Sequence, residues 1–322
     1  MTAVAGAGAA NFVAAQAANR RNTFVLLLLL TLLAAGFGYL IGWALEGEAS
    51  DQVPMLSQAG LAVGGIMAAA SIGWSLVSLA FGSRMVLAMA EAKPIEKQDA
   101  PQLFNVVEEM SIAAGVPMPK VMVMEVDALN AFATGTSTHN AAICVTRGLL
   151  DTLNRDELEG VVGHEMGHIA NLDTRYMTIV GVTVGLIALV ASMILRSLQW
   201  GAYSGRRRSD DKGGGSGLLI VVLIVVAILA PIAAKAVQMA VSRQREYLAD
   251  ATSVQFTRNP NGLISALAKL EAAARPFPGV SNATQHLFIV NPVQRVTPDT
   301  GALFATHPDI EARIARLRNL GG

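Results

Sequence analysis

A single cysteine among 322 residues, Cys144, excludes an intrachain disulfide and any need for an oxidising compartment. It also excludes a Cys-rich structural zinc site, so a metal centre in this chain has to draw on histidine and carboxylate. Within the apolar run Ala141-Ala142-Ile143-Cys144-Val145 the thiol reads as a small core residue rather than a nucleophile. Charge is scarce too: 15% of residues are Asp, Glu, Lys or Arg against 52% hydrophobic, too oily for a soluble enzyme of this size and usual for several membrane spans. No basic stripe is large enough to hold nucleic acid. The formal net charge of zero hides two polar stretches of opposite sign, with 7 Lys/Arg against 13 Asp/Glu in residues 84–175 and 10 against 6 in residues 235–322. Opposite signs favour their meeting in one domain.

Uncharged stretches divide the chain. Residues 1–21 open Ala/Gly-rich and without a clear period, and are expected to be a flexible tail. Arg20-Arg21 precede Phe24–Leu45, which as a helix spans ~30 Å, the thickness of a bilayer core. A cleaved signal peptide would have a shorter apolar core and a small-residue cleavage site, so an uncleaved span is expected. Glu46, Glu48 and Asp51 fill the following loop, and a second span over 59–82 ends at Arg84, with Lys93 and Lys97 beyond. Basic residues outside the hairpin 22–84 and acidic ones in its loop place the amino terminus and the segment after Arg84 in the cytoplasm. A polar block over 85–175, a second hydrophobic hairpin over 176–238 and a closing polar block over 239–322 complete the plan. The second hairpin has apolar stretches 176–195 and 218–238 around the polar loop 196–217, whose five basic and two acidic residues run against the positive-inside tendency. Either the first pair of spans dominates the orientation, or this hairpin enters the bilayer or packs on protein without crossing.

The chemistry centres on His164-Glu165-Met166-Gly167-His168. Asn154, with Glu157 three residues on, predicts the capped start of a helix that carries this run. Residues four apart share a helix face, so both imidazoles can meet one metal ion while Glu165 reaches a water there. Zn²⁺ takes nitrogen and carboxylate ligands in a tetrahedron, and a catalytic site leaves the fourth position to water, whose proton an adjacent carboxylate accepts. Between the first span and this helix, 98–114 has helical spacing through Leu103, Val106, Val107 and Met110 and stops at Gly115-Val116-Pro117. Residues 120–125 and 141–146 read as strands. The stretch between them holds Asn130, Ala131, Phe132 and Ala133, an edge that pairs with an extended substrate if the sheet lies beside the metal helix, or a plain core strand if it does not.

Ser242-Arg243-Gln244-Arg245-Glu246-Tyr247-Leu248-Ala249-Asp250 places Glu246 and Asp250 four apart on a predicted helix. Glu246 can complete a His-His-Glu zinc site, and Asp250 can fix the tautomer of a ligating histidine; alone, such a pair is more often a solvated salt-bridged face. Together with Pro117-Met118-Pro119-Lys120-Val121, Asn130–Gly135, Asn171, Asp173 and Leu303-Phe304-Ala305-Thr306-His307-Pro308 followed by Arg313-Ile314, these motifs resemble the HtpX family of membrane zinc metalloproteases, relatives of the prenyl-protein endopeptidases. The resemblance covers about residues 20–320. It implies an α+β, mainly helical, membrane-anchored gluzincin-like domain with a small β-sheet and about four hydrophobic helices. It implies one Zn²⁺ on His164, His168 and Glu246, with Glu165 as general base and Asp250 behind the ligands. His307 and Arg313 are expected near the site, stabilising the oxyanion, with a structural turn as the alternative for His307. His139 and His286 match no metal spacing and read as a loop residue and a packed residue.

The implied activity is a zinc endopeptidase of the cytoplasmic membrane, its catalytic domain facing the cytoplasm. It would cut polypeptide substrates, cytosol-exposed segments of misfolded or damaged membrane proteins, with the lipid bilayer as its other partner and no nucleic acid. A dedicated processed or lipidated substrate is the alternative. An intramembrane protease is disfavoured because Asp156, Glu157, Glu159 and Asp173 bracket the metal helix. A scaffold with structural zinc is disfavoured because structural sites close with four protein ligands.

Overall fold

The computed structural model describes residues 4–49, 56–186, 243–273, 277, 284–290 and 308–320. The chain divides into two compact units: residues 1–23, 81–182 and 237–322 form the first, and residues 24–80 and 183–236 the second. The second expected hairpin beyond residue 186, its loop 196–217, and His307 lie outside the described residues.

Two long helices run through the first third of the chain, α1 (Val4–Ala49) and α2 (Gln58–Met89). Residues 4–21, expected as a flexible tail, are the first turns of α1. The correction has a plain cause: the stretch is rich in alanine, the best helix former, and needs no amphipathic period when a longer helix continues it. Both helices contain windows long and apolar enough to cross a membrane, and only 17% and 11% of those windows are buried. In the second unit Phe24, Leu32, Ile66 and Leu76 are exposed, apolar surface on a scale that water-soluble monomers avoid. Its two helices meet through small residues: a Cβ on Gly42 would lie 2.3 Å from the Ala59 carbonyl oxygen, and one on Gly38 2.7 Å from that of Val63. Glu46 accepts hydrogen bonds from the Ser57 hydroxyl and the Ala59 N–H, which satisfies donors at the start of α2.

The first unit is built on a four-stranded sheet in the order β1-β2-β4-β3, from β1 (Lys93–Pro94), β2 (Lys120–Met124), β3 (Ala131–Thr134) and β4 (Ala142–Thr146). β2 and β4 run parallel and are almost wholly buried, which is why their sequences are continuous apolar runs instead of alternating ones. β3 pairs antiparallel with β4 and forms one edge. Helix α3 (Pro101–Ala114) begins at a proline suited to a helix start and ends at Gly115 in the left-handed conformation, φ 64°. Its Leu103, Val106, Val107 and Met110 face a core shared with Val121, Val123, Ile143 and Val145 of the sheet. Short α4 (Arg147–Thr152) leads into α5 (Arg155–Ala170), followed by α6 (residues 173–186). Helices α7 (Arg243–Thr257), α8 (Pro260–Ala272) and α9 (Ile310–Leu320) complete the unit.

Candidate active site

The site begins with the capping of α5. The Asn154 side chain accepts from the Glu157 N–H at 3.0 Å while Glu157 accepts from the Asn154 N–H at 2.9 Å. The Glu157 carboxylate also binds Lys269 at 2.8 Å and the Ser265 hydroxyl at 2.6 Å; burial raises its pKa, but these partners outweigh it and hold the group below the usual carboxylate range. The start of α5 is thereby tied to α8.

Further along, α5 keeps glycine where α7 crosses it. A Cβ on Gly163 would stand 3.0 Å from Ser253 Oγ, and the Ser253 hydroxyl donates to the Gly160 carbonyl at 2.7 Å. This close approach of the two helices brings Glu246 to the histidines. His164 Nε2 and His168 Nε2 are 3.2 Å apart, Glu246 Oε2 is 3.5 Å from the first and Oε1 3.6 Å from the second. All three side chains are buried, and among the described residues they form one group able to hold a metal. Ligand atoms ~2.0–2.1 Å from one tetrahedral zinc stand ~3.3 Å from one another. The two ring nitrogens have that spacing, one oxygen of the Glu246 carboxylate faces each of them, and one donor atom from each of the three residues lies within 4.8 Å of the others, an N, N, O set that zinc accepts, so the residues fit the ion the sequence implies.

Each imidazole is gripped from behind. Asp250 Oδ1 lies 2.9 Å from His164 Nδ1, and Asp173 Oδ2 lies 3.0 Å from His168 Nδ1. Both contacts suit a proton on Nδ1 of each ring, which would leave each Nε2 to a metal ion. Asp250 is legible in the sequence from its four-residue spacing to Glu246, whereas nothing in the spacing around Asp173 marks it as a partner of His168. It turns back on His168 because Leu172 adopts a left-handed φ of 58°, and no residue type there announces such a turn. Burial and the Arg313 charge oppose protonation of His164, but hydrogen bonds to Asp250 and Glu246 outweigh them and lift its pKa to about 9.

Arg313 is wholly buried. Its Nε and one terminal nitrogen donate to Asp250 at 2.9 and 2.6 Å, the other donates to the Ile289 carbonyl at 3.3 Å, and Glu246 Oε2 is 3.5 Å away. Against the expectation of an oxyanion donor, its N–H groups are engaged with these carboxylates and a carbonyl. Asp250 is held below the usual range: burial pushes it up, but the Arg313 charge and His164 prevail.

Glu165 is buried beside the ligands, and the nearby Ala133 N–H favours its charged form. Burial raises its pKa, the two histidines counteract this, and the net direction is upward, as suits a base working near neutrality. Of the four expected edge residues, Asn130 and Phe132 turn main-chain groups toward β4, while Ala131 and Ala133 turn theirs outward. The Ala131 carbonyl accepts from the Ile289 N–H at 2.9 Å, and the Asn130 amide donates to the Val290 carbonyl at 2.8 Å. Residues 288–290 therefore lie along the first half of the edge. Phe132 packs edge-on against Phe288, with ring centroids 5.0 Å apart. His139 is exposed in a short turn. His286 is buried and donates through Nε2 to the Met177 carbonyl at 3.1 Å. Cys144 is buried in β4; desolvation, reinforced by the Glu165 charge, raises its pKa and keeps it an inert thiol.

A metal-sized N, N, O triangle, with a buried carboxylate next to its first histidine and a sheet edge alongside, defines a metalloendopeptidase. Peptidase family M48 matches residues 97–320. Relatives described as "Protease HtpX homolog" are 42% identical in Tropheryma whipplei, over 95% of this chain and 97% of that protein, and 40% identical in Caldanaerobacter subterraneus, over 95% and 96%. Another in Streptococcus agalactiae is 42% identical over 94% and 98%. The crystal structure of S. mikatae Ste24p aligns at 17% identity with a TM-score of 0.45, covering 76% of this chain and 56% of that one. The chain belongs to peptidase family M48 and, with its relatives, to the HtpX proteases.

Proposed function

We propose that this chain is a zinc-dependent endopeptidase of the cytoplasmic membrane that cuts cytosol-exposed segments of misfolded or damaged membrane proteins. The observation that carries the chemistry is the buried cluster of His164, His168 and Glu246, with the two Nε2 atoms 3.2 Å apart and one Glu246 carboxylate oxygen 3.5 or 3.6 Å from each. A zinc ion held there supplies Lewis acidity, polarising the scissile carbonyl and making water acidic near pH 7. Glu165 accepts the proton of the attacking water and returns it to the leaving amine, and the nearby Ala133 N–H favours its charged form. Asp250 and Asp173 hold the ligand rings in the metal-binding tautomer. Arg313 is a positioning residue that balances Asp250 and Glu246. With Ala131 bonded to Ile289 and the Gly135 N–H donated to the Thr178 hydroxyl, the main-chain groups of Ala133 are what this edge leaves for an extended substrate.

Membrane anchorage is supported by the two apolar helices and the charge asymmetry around them. The class of substrate is tested by incubating detergent-purified enzyme with a membrane protein in its folded and its heat-denatured form. Cleavage of the denatured form alone, in loops known to face the cytosol, is expected; equal cleavage of the folded form, or cutting confined to one processing site, would replace quality control by a dedicated substrate. Probing a tag within 201–217 from each side of the membrane tests the orientation, and the rest of the topology follows from it.

A further inference from the structure

The last carbonyls of a helix lack partners within it. At the end of α5 two of them receive side-chain amides from α1: Gln16 Nε2 donates to the Ala170 carbonyl at 2.7 Å, and Asn19 Nδ2 to that of Asn171 at 3.1 Å. Asn19 does more. The same Nδ2 donates to Asp173 Oδ1 at 2.6 Å, and the other oxygen of that carboxylate lies 3.0 Å from Nδ1 of His168. Both partners of the Asn19 amide are acceptors, so the nitrogen must face them. Asn19 is 3% exposed and Asp173 1%, so water does not substitute easily for either. Arg245 Nε, 3.8 Å from the same Asp173 oxygen, is too distant to replace the bond.

We propose that Asn19, on the first helix and 145 residues before the metal motif, is a positioning residue of the metal site: through Asp173 it fixes the ring orientation and tautomer of His168. A neutral amide suits the position, because one nitrogen supplies both hydrogens, one for the carboxylate and one for the helix-end carbonyl, without adding charge beside a ligand. The helix that continues into the apolar run from Phe24 thus also carries a support of the zinc ligand. The inference rests on the zinc reading above.

The test uses the full chain in detergent, stripped with a chelator and titrated with Zn²⁺ against a competing indicator, then loaded with Co²⁺ for its ligand-field spectrum. Asn19→Ala is expected to bind zinc about tenfold more weakly and to shift the cobalt bands. Gln16→Ala, which loses a cap but no contact to Asp173, is expected to keep both at wild-type values. In an Asp173→Asn background, Asn19→Ala should cost little further affinity. Wild-type affinity and spectrum in Asn19→Ala, an equal loss in Gln16→Ala, or an undiminished loss in the Asp173→Asn background would overturn the proposal. If Asn19→Ala does not fold, Asn19→Leu, which is close in volume but donates to neither acceptor, replaces it with the same expectations. A wild-type chain that takes up no zinc would sink the metal-site reading itself, an outcome distinct from all of these.

Discussion

Gly167 and Thr252 approach more closely than nearly all pairs of side chains do, since a Cβ on Gly167 would lie 3.2 Å from the Cβ of Thr252. That approach sets the distance from α5 to α7, and with it the reach of Glu246. Gly167→Val adds a branched side chain to a full contact, for which overpacking costs about 1–3 kcal/mol. The helices must separate, and Glu246 retreats from the histidines. The expected result is a chain that still folds, with a lowered Tm, and that loses zinc in a competition assay along with peptidase activity. Normal zinc content in this variant would show that the interhelix distance does not set the site.

Glu165 is the group whose loss separates binding from chemistry. Glu165→Gln preserves shape but cannot accept a proton. Zinc is expected at one equivalent per chain, as in wild type, while kcat/KM for a denatured protein falls by about 10² to 10⁴. Turnover near the wild-type rate would remove Glu165 from the role of base.

His286 predicts a pH signature for the catalytic unit. Burial drives its pKa down from 6.5 to about 4, only partly offset by its bond to the Met177 carbonyl. The unfolded chain therefore binds the proton more readily, and the sign follows: the neutral ring's contribution is complete above pH 6.5 and is lost as pH falls toward 4. The shift corresponds to roughly 3 kcal/mol lost over that window. Gln in place of His286 can still donate to Met177 but does not titrate. In the presence of chelator, His286→Gln should melt below wild type at pH 7.5, and the gap should close or reverse by pH 4.5. A constant gap across that range would exclude this histidine as the acid-sensitive group.

The local features of the fold were legible because local rules generate them. Asn154 and Glu157 announced the start of α5, Gly115 ended α3, and the four-residue spacing of His164 and His168 gave a common face. What stayed hidden was set by contacts distant in sequence. Nothing in Lys93-Pro94 marks a strand, and β1 exists because β2 offers it an edge. The Ala/Gly-rich opening lacked an amphipathic period and read as loose, yet α1 packs Asn19 against Asp173, 154 residues away. Arg313 was placed near the site from its motif, but which groups its guanidinium would meet depended on how α9 packs against α7 and on Ile289. The edge of β3 was anticipated; its partial cover by residues 288–290 was not, since that segment has no strand pattern of its own.

The pairing of α1 with α2 in the second unit is open to the same kind of test as the active site. Lipid is as apolar as leucine, so the two helices gain little from burying apolar side chains and depend on close backbone packing. Gly42 and Gly38 permit it, with added Cβ atoms meeting carbonyl oxygens at 2.3 and 2.7 Å, and Thr31 and Ser71 hydroxyls lie 3.2 Å apart in the same unit. Gly42→Leu places four carbons where one does not fit, so the helices must part near the Glu46–Ser57 contact. Cysteines at Leu45 and Leu56 of an otherwise Cys144→Ala chain provide the readout in native membranes. Adding Gly42→Leu is expected to lower disulfide formation between them several-fold while Gly36→Leu, where an added Cβ meets nothing within 4 Å, leaves it unchanged. Equal crosslinking in all three chains would mean that the glycine contact does not hold the hairpin together.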